Sequence, residues 1–158
     1  MFKVSNTLQG FIGDITDEIK SKAPISSGSL RSSIKSNINA LDEGITISFS
    51  MLDYGYYQDK GVNGTKRSWG SPFSFSKMPP TSALDGWVVK KGIAPRNNKG
   101  QFTTRKGLNF IIARSIMENG IRLKNFIEPV INNNIDRLSQ IIIDDIFDEF
   151  EKNIKLKD

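Results

Sequence analysis

Pro24 constrains this chain more than any other residue, because it closes one helix and fixes the turn that follows. Upstream of it, Leu8, Phe11, Ile12, Ile15 and Ile19 recur at helical spacing, with Asp14, Asp17, Glu18 and Lys20 on the other face. Asn6 and Gln9 offer a capping pair at the start of that helix. Pro24 disfavours helical geometry at Ala23 and has no N–H to donate to Lys20, so the helix is expected to end near Lys22. The chain continues Ala23-Pro24-Ile25-Ser26-Ser27-Gly28-Ser29-Leu30-Arg31-Ser32-Ser33-Ile34, whose Ser-Ser-Gly-Ser cluster reads as a turn or a helix cap.

Beyond that turn the hydrophobic period changes. Leu30, Ile34 and Ile38 are spaced by four, while Ile34, Ile38 and Ala40 also share one side of an extended chain. The pattern predicts a brief helical turn passing into a strand. Asp42-Glu43-Gly44 reads as a tight connection. Ile45-Thr46-Ile47-Ser48-Phe49-Ser50-Met51 alternates apolar and polar without a break, the mark of a strand with one buried face. Residues 34–51 are therefore expected to form a β-hairpin.

Tyr54-Gly55-Tyr56-Tyr57 follows as a helical turn expected to stack its rings on that hairpin. Residues 63–80 are basic and serine-rich without a sustained period, and are expected to be mobile or ordered by a partner. Pro79-Pro80-Thr81-Ser82 opens a short helix through Ala83, Leu84, Trp87 and Val88, which Gly92 ends. After a loop at Ala94–Gly100, Leu108, Ile111, Ile112 and Ile116 mark another helix that stops at Asn119-Gly120. In the last and longest helix, Ile131, Ile135, Leu138, Ile142, Ile146, Phe150 and Ile154 keep to one stripe. Ile141, Ile143 and Phe147 widen it, so the stripe is either deeply buried or shared with another subunit.

Composition narrows the chemistry. A chain of 158 residues suits one domain and can bury a core without disulfides or metal. It has no cysteine and no histidine, which removes thiolate and imidazole catalysis and the common zinc sites. No aspartate-rich calcium loop and no strand–glycine–helix phosphate loop occurs. Met1-Phe2-Lys3-Val4 does not read as a secretory signal, and no apolar run approaches the roughly 18 residues of a membrane span. A soluble chain with no membrane contact and no cofactor is expected. Asp144, Asp145, Asp148 and Glu149 can pair carboxylates for metal or acid–base work. They equally form the solvated face of an amphipathic helix, and no nucleophile motif accompanies them.

Charge is spread unevenly. Residues 53–107 hold ten Lys or Arg against three acids, whereas the chain from Asp136 on is acidic. Such polarity suits solvated surface, contact with a polyanion, or head-to-tail packing of identical copies. Lys60, Lys66, Arg67, Lys90, Lys91, Arg96 and Lys99 are the candidate DNA-facing cations. The interleaved Tyr56, Tyr57, Trp69, Phe73, Phe75 and Trp87 stack on bases or fill interface pockets.

In this order the segments resemble the tail-completion and neck proteins of tailed bacteriophages, the group related to the small tail component of the phage called HK97. The family's Ala-Pro-x-x-Thr/Ser-Gly-x-Leu-Arg-x-Ser-Ile motif is matched at Ala23, Pro24, Ser27, Gly28, Leu30, Arg31, Ser33 and Ile34. Its Tyr-x-x-Tyr segment and glycine turn are matched at Tyr54, Tyr57 and Gly61. The stretches from Trp87 to Ile93 and from Ile112 to Gly120 look like the next two family segments. Phe126 to Pro129 looks like the family's entry into the last helix. Gln58-Asp59-Lys60 departs from the acid-glycine-threonine turn common there, and the terminal helix is long with an acidic face.

The resemblance implies a non-enzymatic virion protein that forms a ring of six or twelve copies at the head–tail junction. Made in the host cytoplasm, it would touch adjacent connector and tail proteins and contact channel DNA non-specifically. Pro24, Gly28, Leu30, Arg31, Tyr54, Tyr57, Gly61, Trp87, Phe126 and Pro129 then become the motif and interface residues. Arg31 is expected to tie its loop to a carboxylate, or to carbonyls of its own or a neighbouring subunit. The rival readings are a nucleic-acid-binding regulator and a small metal-dependent hydrolase or nuclease built on the terminal carboxylates. The expected architecture is a single α+β domain over residues 1–158. An antiparallel hairpin or small sheet is packed by an N-terminal helix and a long C-terminal helix. Basic loops at about 60–80 and 94–106 are flexible or ordered by a partner.

Overall fold

The computed structural model describes residues 3–25, 28–41 and 44–155. The Ser26-Ser27 pair and the Asp42-Glu43 turn lie outside the described residues. The fold is α+β. In chain order come α1 (Asn6–Lys22), α2 (Ser29–Ser33), β1 (Lys35–Leu41), β2 (Gly44–Ser50) and α3 (Asp53–Lys60). A 3-10 turn (Thr81–Leu84), α4 (Asp85–Lys90), α5 (Arg105–Asn119) and α6 (Glu128–Lys155) follow. The chain divides into two compact units, one of residues 1–59 with 124–158, the other of residues 60–123.

In the first unit, α1 is capped one residue earlier than the Asn6–Gln9 pair suggested. The Oγ of Ser5 accepts from the Leu8 amide at 2.9 Å. A hydroxyl just ahead of the helix reaches an amide that has no intrahelical partner, so Ser5 takes the capping role. The helix ends at Lys22, and Ala23 is extended at ψ 144, as a residue before proline must be. Leu8, Phe11, Ile12, Ile15 and Ile19 form the core with Ala23, Leu30, Ile34, Phe126 and Val130. Each large aliphatic side chain buried there contributes about 1.5–3 kcal/mol.

β1 and β2 pair antiparallel with Ser36 opposite Phe49, Ile38 opposite Ile47 and Ala40 opposite Ile45. The period of two puts these residues on one half-buried face and Thr46 and Ser48 on the exposed one. α6 follows the core only part of the way. Leu138, Ile141 and Ile142 pack on it, while Ile143, Ile146, Phe147, Phe150 and Ile154 are exposed. The broad stripe read from the sequence is thus two faces of one helix, and only one of them is covered within the unit.

In the second unit the chain returns on itself at Val62, whose amide and carbonyl exchange two 2.8 Å bonds with Ile121. The short helix expected from Pro80 starts as the 3-10 turn and becomes α4 only at Asp85. The Oγ1 of Thr104 caps α5, accepting from the Gly107 amide at 3.2 Å. Gly120 ends α5 at φ 72. The buried Asn109 of α5 donates its amide to the Asp85 carboxylate at the start of α4.

Candidate functional site

The proline-gated segment is held by its own side chains. Gly28 precedes α2 at φ 82, a conformation that costs an L side chain and costs glycine little. Leu30 and Ile34 point into the core. Arg31 donates through Nε to the Ala23 carbonyl and through Nη2 to the Ser21 carbonyl, both at 2.9 Å. These are carbonyls that the end of α1 leaves unpaired, and the guanidinium also lies favourably at the negative end of the helix dipole. Of the partners open to Arg31 from the sequence, the structure uses carbonyls of its own chain. Ser33 carries the link onward, since its Oγ accepts from the Leu52 amide at 3.1 Å.

The second and last motif segments meet through a residue that sequence reasoning passed over. Asp59, 2 % exposed, accepts at Oδ1 from the amides of Phe126 (2.8 Å) and Ile127 (3.1 Å). The carbonyls of Gln58 and Asp59 accept in turn from the amides of Lys124 and Asn125, both at 2.9 Å. Asn125 adopts φ 46 to make this turn, which asparagine tolerates better than most residues. Phe126 is buried in the core, and Pro129 sits in the first turn of α6, where a missing N–H costs nothing. Tyr54, Tyr56 and Tyr57 are each more than two-fifths exposed. They stand on an eight-residue helix whose buried residues are Gly55 and Asp59.

The candidate DNA-facing cations fall in different settings. Lys60 ends α3, and Lys90 and Lys91 sit at the C-terminal end of α4. Lys66 pairs with Glu118 at 3.0 Å, and Arg114 pairs with the same carboxylate at 3.0 Å. The hydrogen bond from Lys66, then that from Arg114, holds the Glu118 carboxyl below its ordinary value. Arg67 lies over the Trp69 ring at 4.4 Å and Arg122 at 6.0 Å, while Trp69 Nε1 donates to the Asn119 carbonyl at 2.8 Å. Arg96 covers Phe102 at 4.5 Å in a small turn where the Asn97 Oδ1 accepts from the amides of Lys99 and Gln101. Trp87 is partly exposed on α4.

Residues 63–75 carry neither helix nor named strand, yet one side chain organises them. The Asn63 Oδ1 accepts from the amides of Trp69 (2.7 Å) and Ser71 (3.2 Å), and its Nδ2 donates to the Ser71 carbonyl at 2.7 Å. Gly61, at φ 71, lets this loop leave α3, because a Cβ there would lie 2.6 Å from the Ile121 carbonyl oxygen.

Of the terminal acids, Asp145, Asp148 and Glu149 line an open cavity of about 420 Å³ with Lys3, Ser5 and Lys152, the Lys3 amide donating to Glu149 at 3.3 Å, while Asp144 accepts from Gln140 at 2.8 Å. Among the described residues no group of three or more His, Cys, Asp or Glu is placed to hold a metal ion. Among them, too, no helix is long and apolar enough to cross a membrane. In comparisons with known proteins, no family model, no curated protein and no solved structure matches the chain.

Proposed function

We propose that the protein is a structural, non-enzymatic subunit of a phage tail, a tail-completion or neck component that forms a ring at the head–tail junction. The observation that carries the reading is the bond network of Asp59. It joins the Tyr54–Gly61 segment to the Phe126–Pro129 segment, two stretches 67 residues apart at Asp59 and Phe126 that the family resemblance singles out together. The 23–34 segment contributes to the same core through Ala23, Leu30 and Ile34. The buried motif residues Ala23, Leu30, Ile34 and Phe126, with Asp59, serve as scaffold for the hairpin and helices. In this reading the second unit, with twelve Lys or Arg and two acids among residues 60–123, faces channel DNA or neighbouring rings.

The test is immunogold labelling of particles from a lysate of cells that make the protein. Label confined to the junction of head and tail supports the assignment, and particles without label refute it. A second reading, a nucleic-acid-binding regulator, is favoured by the charge of the second unit. It predicts that salt-sensitive DNA binding is the chain's main activity in solution.

A further inference from the structure

The distal half of α6 has a face that the first unit does not cover, and we infer that it docks on the exposed face of α5 in a second copy of this chain. Over residues 140–151, α6 carries five acids and no base. Its exposed apolar side chains there are Ile143, Ile146, Phe147 and Phe150, the two phenylalanines each 64 % exposed. At 100° per residue these four fall on one side of the helix, with Asp144 and Glu151 along its edge. Leu138, Ile141 and Ile142, which pack on the core, lie on the other side. A contiguous apolar face of this kind marks an interaction site.

Charge decides what covers it. Nucleic acid and an anionic membrane are repelled by the carboxylates, and a second α6 brings the same five acids. The occupant has to be apolar and basic. α5 supplies that surface: Phe110 and Ile111 are exposed, with Arg114 between them around the helix and Lys106 one turn before Phe110. Arg114 stays 61 % exposed while it pairs with Glu118. The lengths agree as well, since 15 residues of α5 and residues 140–154 of α6 each span about 22 Å. Apolar side chains then meet along the middle, and acids meet bases at the rim.

The two faces differ, so the contact is heterologous. Each copy keeps one free α6 face and one free α5 face until the assembly closes. The inference deepens the ring reading and rests on it only for closure.

Sedimentation tests the contact with Phe147→Lys on α6 and Ile111→Glu on α5, both exposed positions whose folding is checked by circular dichroism. Wild-type chain is expected to form oligomers that weaken between about 0.1 and 0.5 M salt. Each variant alone is expected to be monomeric, its affinity lowered about thirtyfold or more. An equimolar mixture is expected to give a one-to-one dimer and nothing larger, because only one intact α6 face and one intact α5 face remain. A monomeric wild type at every concentration overturns the inference. So do variants that oligomerise unaided, or a mixture that stays monomeric. If the mixture forms the dimer but wild type grows into open chains, the contact stands and the ring reading falls.

Discussion

Replacing Asp59 with alanine is expected to destabilise the first unit by about 3 kcal/mol. The carboxylate is 2 % exposed and accepts from two amides, at 2.8 and 3.1 Å. Hydrogen bonds to a charged group contribute about 1.5–3 kcal/mol each, and two that share one oxygen do not add in full. Alanine also leaves the Phe126 and Ile127 amides without that acceptor beside the core. Against a total of roughly 5–15 kcal/mol this is a large fraction. Urea denaturation followed by far-ultraviolet circular dichroism reads it, since α1 and α6 hold most of the helical residues of the first unit. At a slope of about 2 kcal/mol per molar, the midpoint falls by about 1.5 M. Tryptophan emission reports the second unit separately, because Trp69 and Trp87 both belong to it. Asp59→Asn keeps an acceptor oxygen and is expected to lose about half as much. An alanine variant within about 0.5 kcal/mol of wild type would refute the role assigned to this carboxylate.

Arg31→Met removes the donors to Ser21 and Ala23 and is expected to cost about 1–2 kcal/mol in thermal melts, with Arg31→Lys recovering less than half because an ammonium has no fork. Gly61→Ala meets both a φ of 71 and the Ile121 carbonyl, so a loss of about 2 kcal/mol or more is expected in the tryptophan-detected transition. The hydrogen bond from Lys22, then that from Asn134, holds the Glu18 carboxyl below its ordinary 4.5. With the folded value depressed, the stabilisation is present above pH 4.5 and disappears as pH falls through the folded value. Glu18→Gln should therefore flatten the acid side of a melting-temperature profile below that pH. Neutralising Lys90, Lys91, Arg96 and Lys99 together should reduce the salt slope of DNA binding by up to about 0.9 for each phosphate these side chains neutralise, and an unchanged slope removes DNA from their role.

Much of the fold was legible because period and punctuation agreed. The strict alternation from Ile45 to Met51 could only be a half-buried strand, and Pro24 fixed the end of α1 whatever it packed against. What the sequence hid was where the core ends. The α6 stripe repeats evenly from Ile131 to Ile154, but only Leu138 and Ile142 of it pack on the core, with Ile135 exposed before them and Ile146 after, and a helical period carries no mark of that choice. Asp59 was hidden differently. It stood out as a departure from a family turn, although an acid at the C-terminal end of a helix opposes that helix's dipole. That misfit was a usable signal that the carboxylate serves another backbone, here the chain entering α6. Asn63, between Val62 and Gly64, carried the ordinary mark of a turn-forming side chain. The lack of period around it obscured how many amides it gathers.

Light scattering over a concentration series at moderate salt tests the assembly role most directly. A discrete particle of about 106 or 212 kDa, six or twelve copies of the 17.7 kDa chain, is predicted. A mass that stays at one chain across the whole series would contradict it.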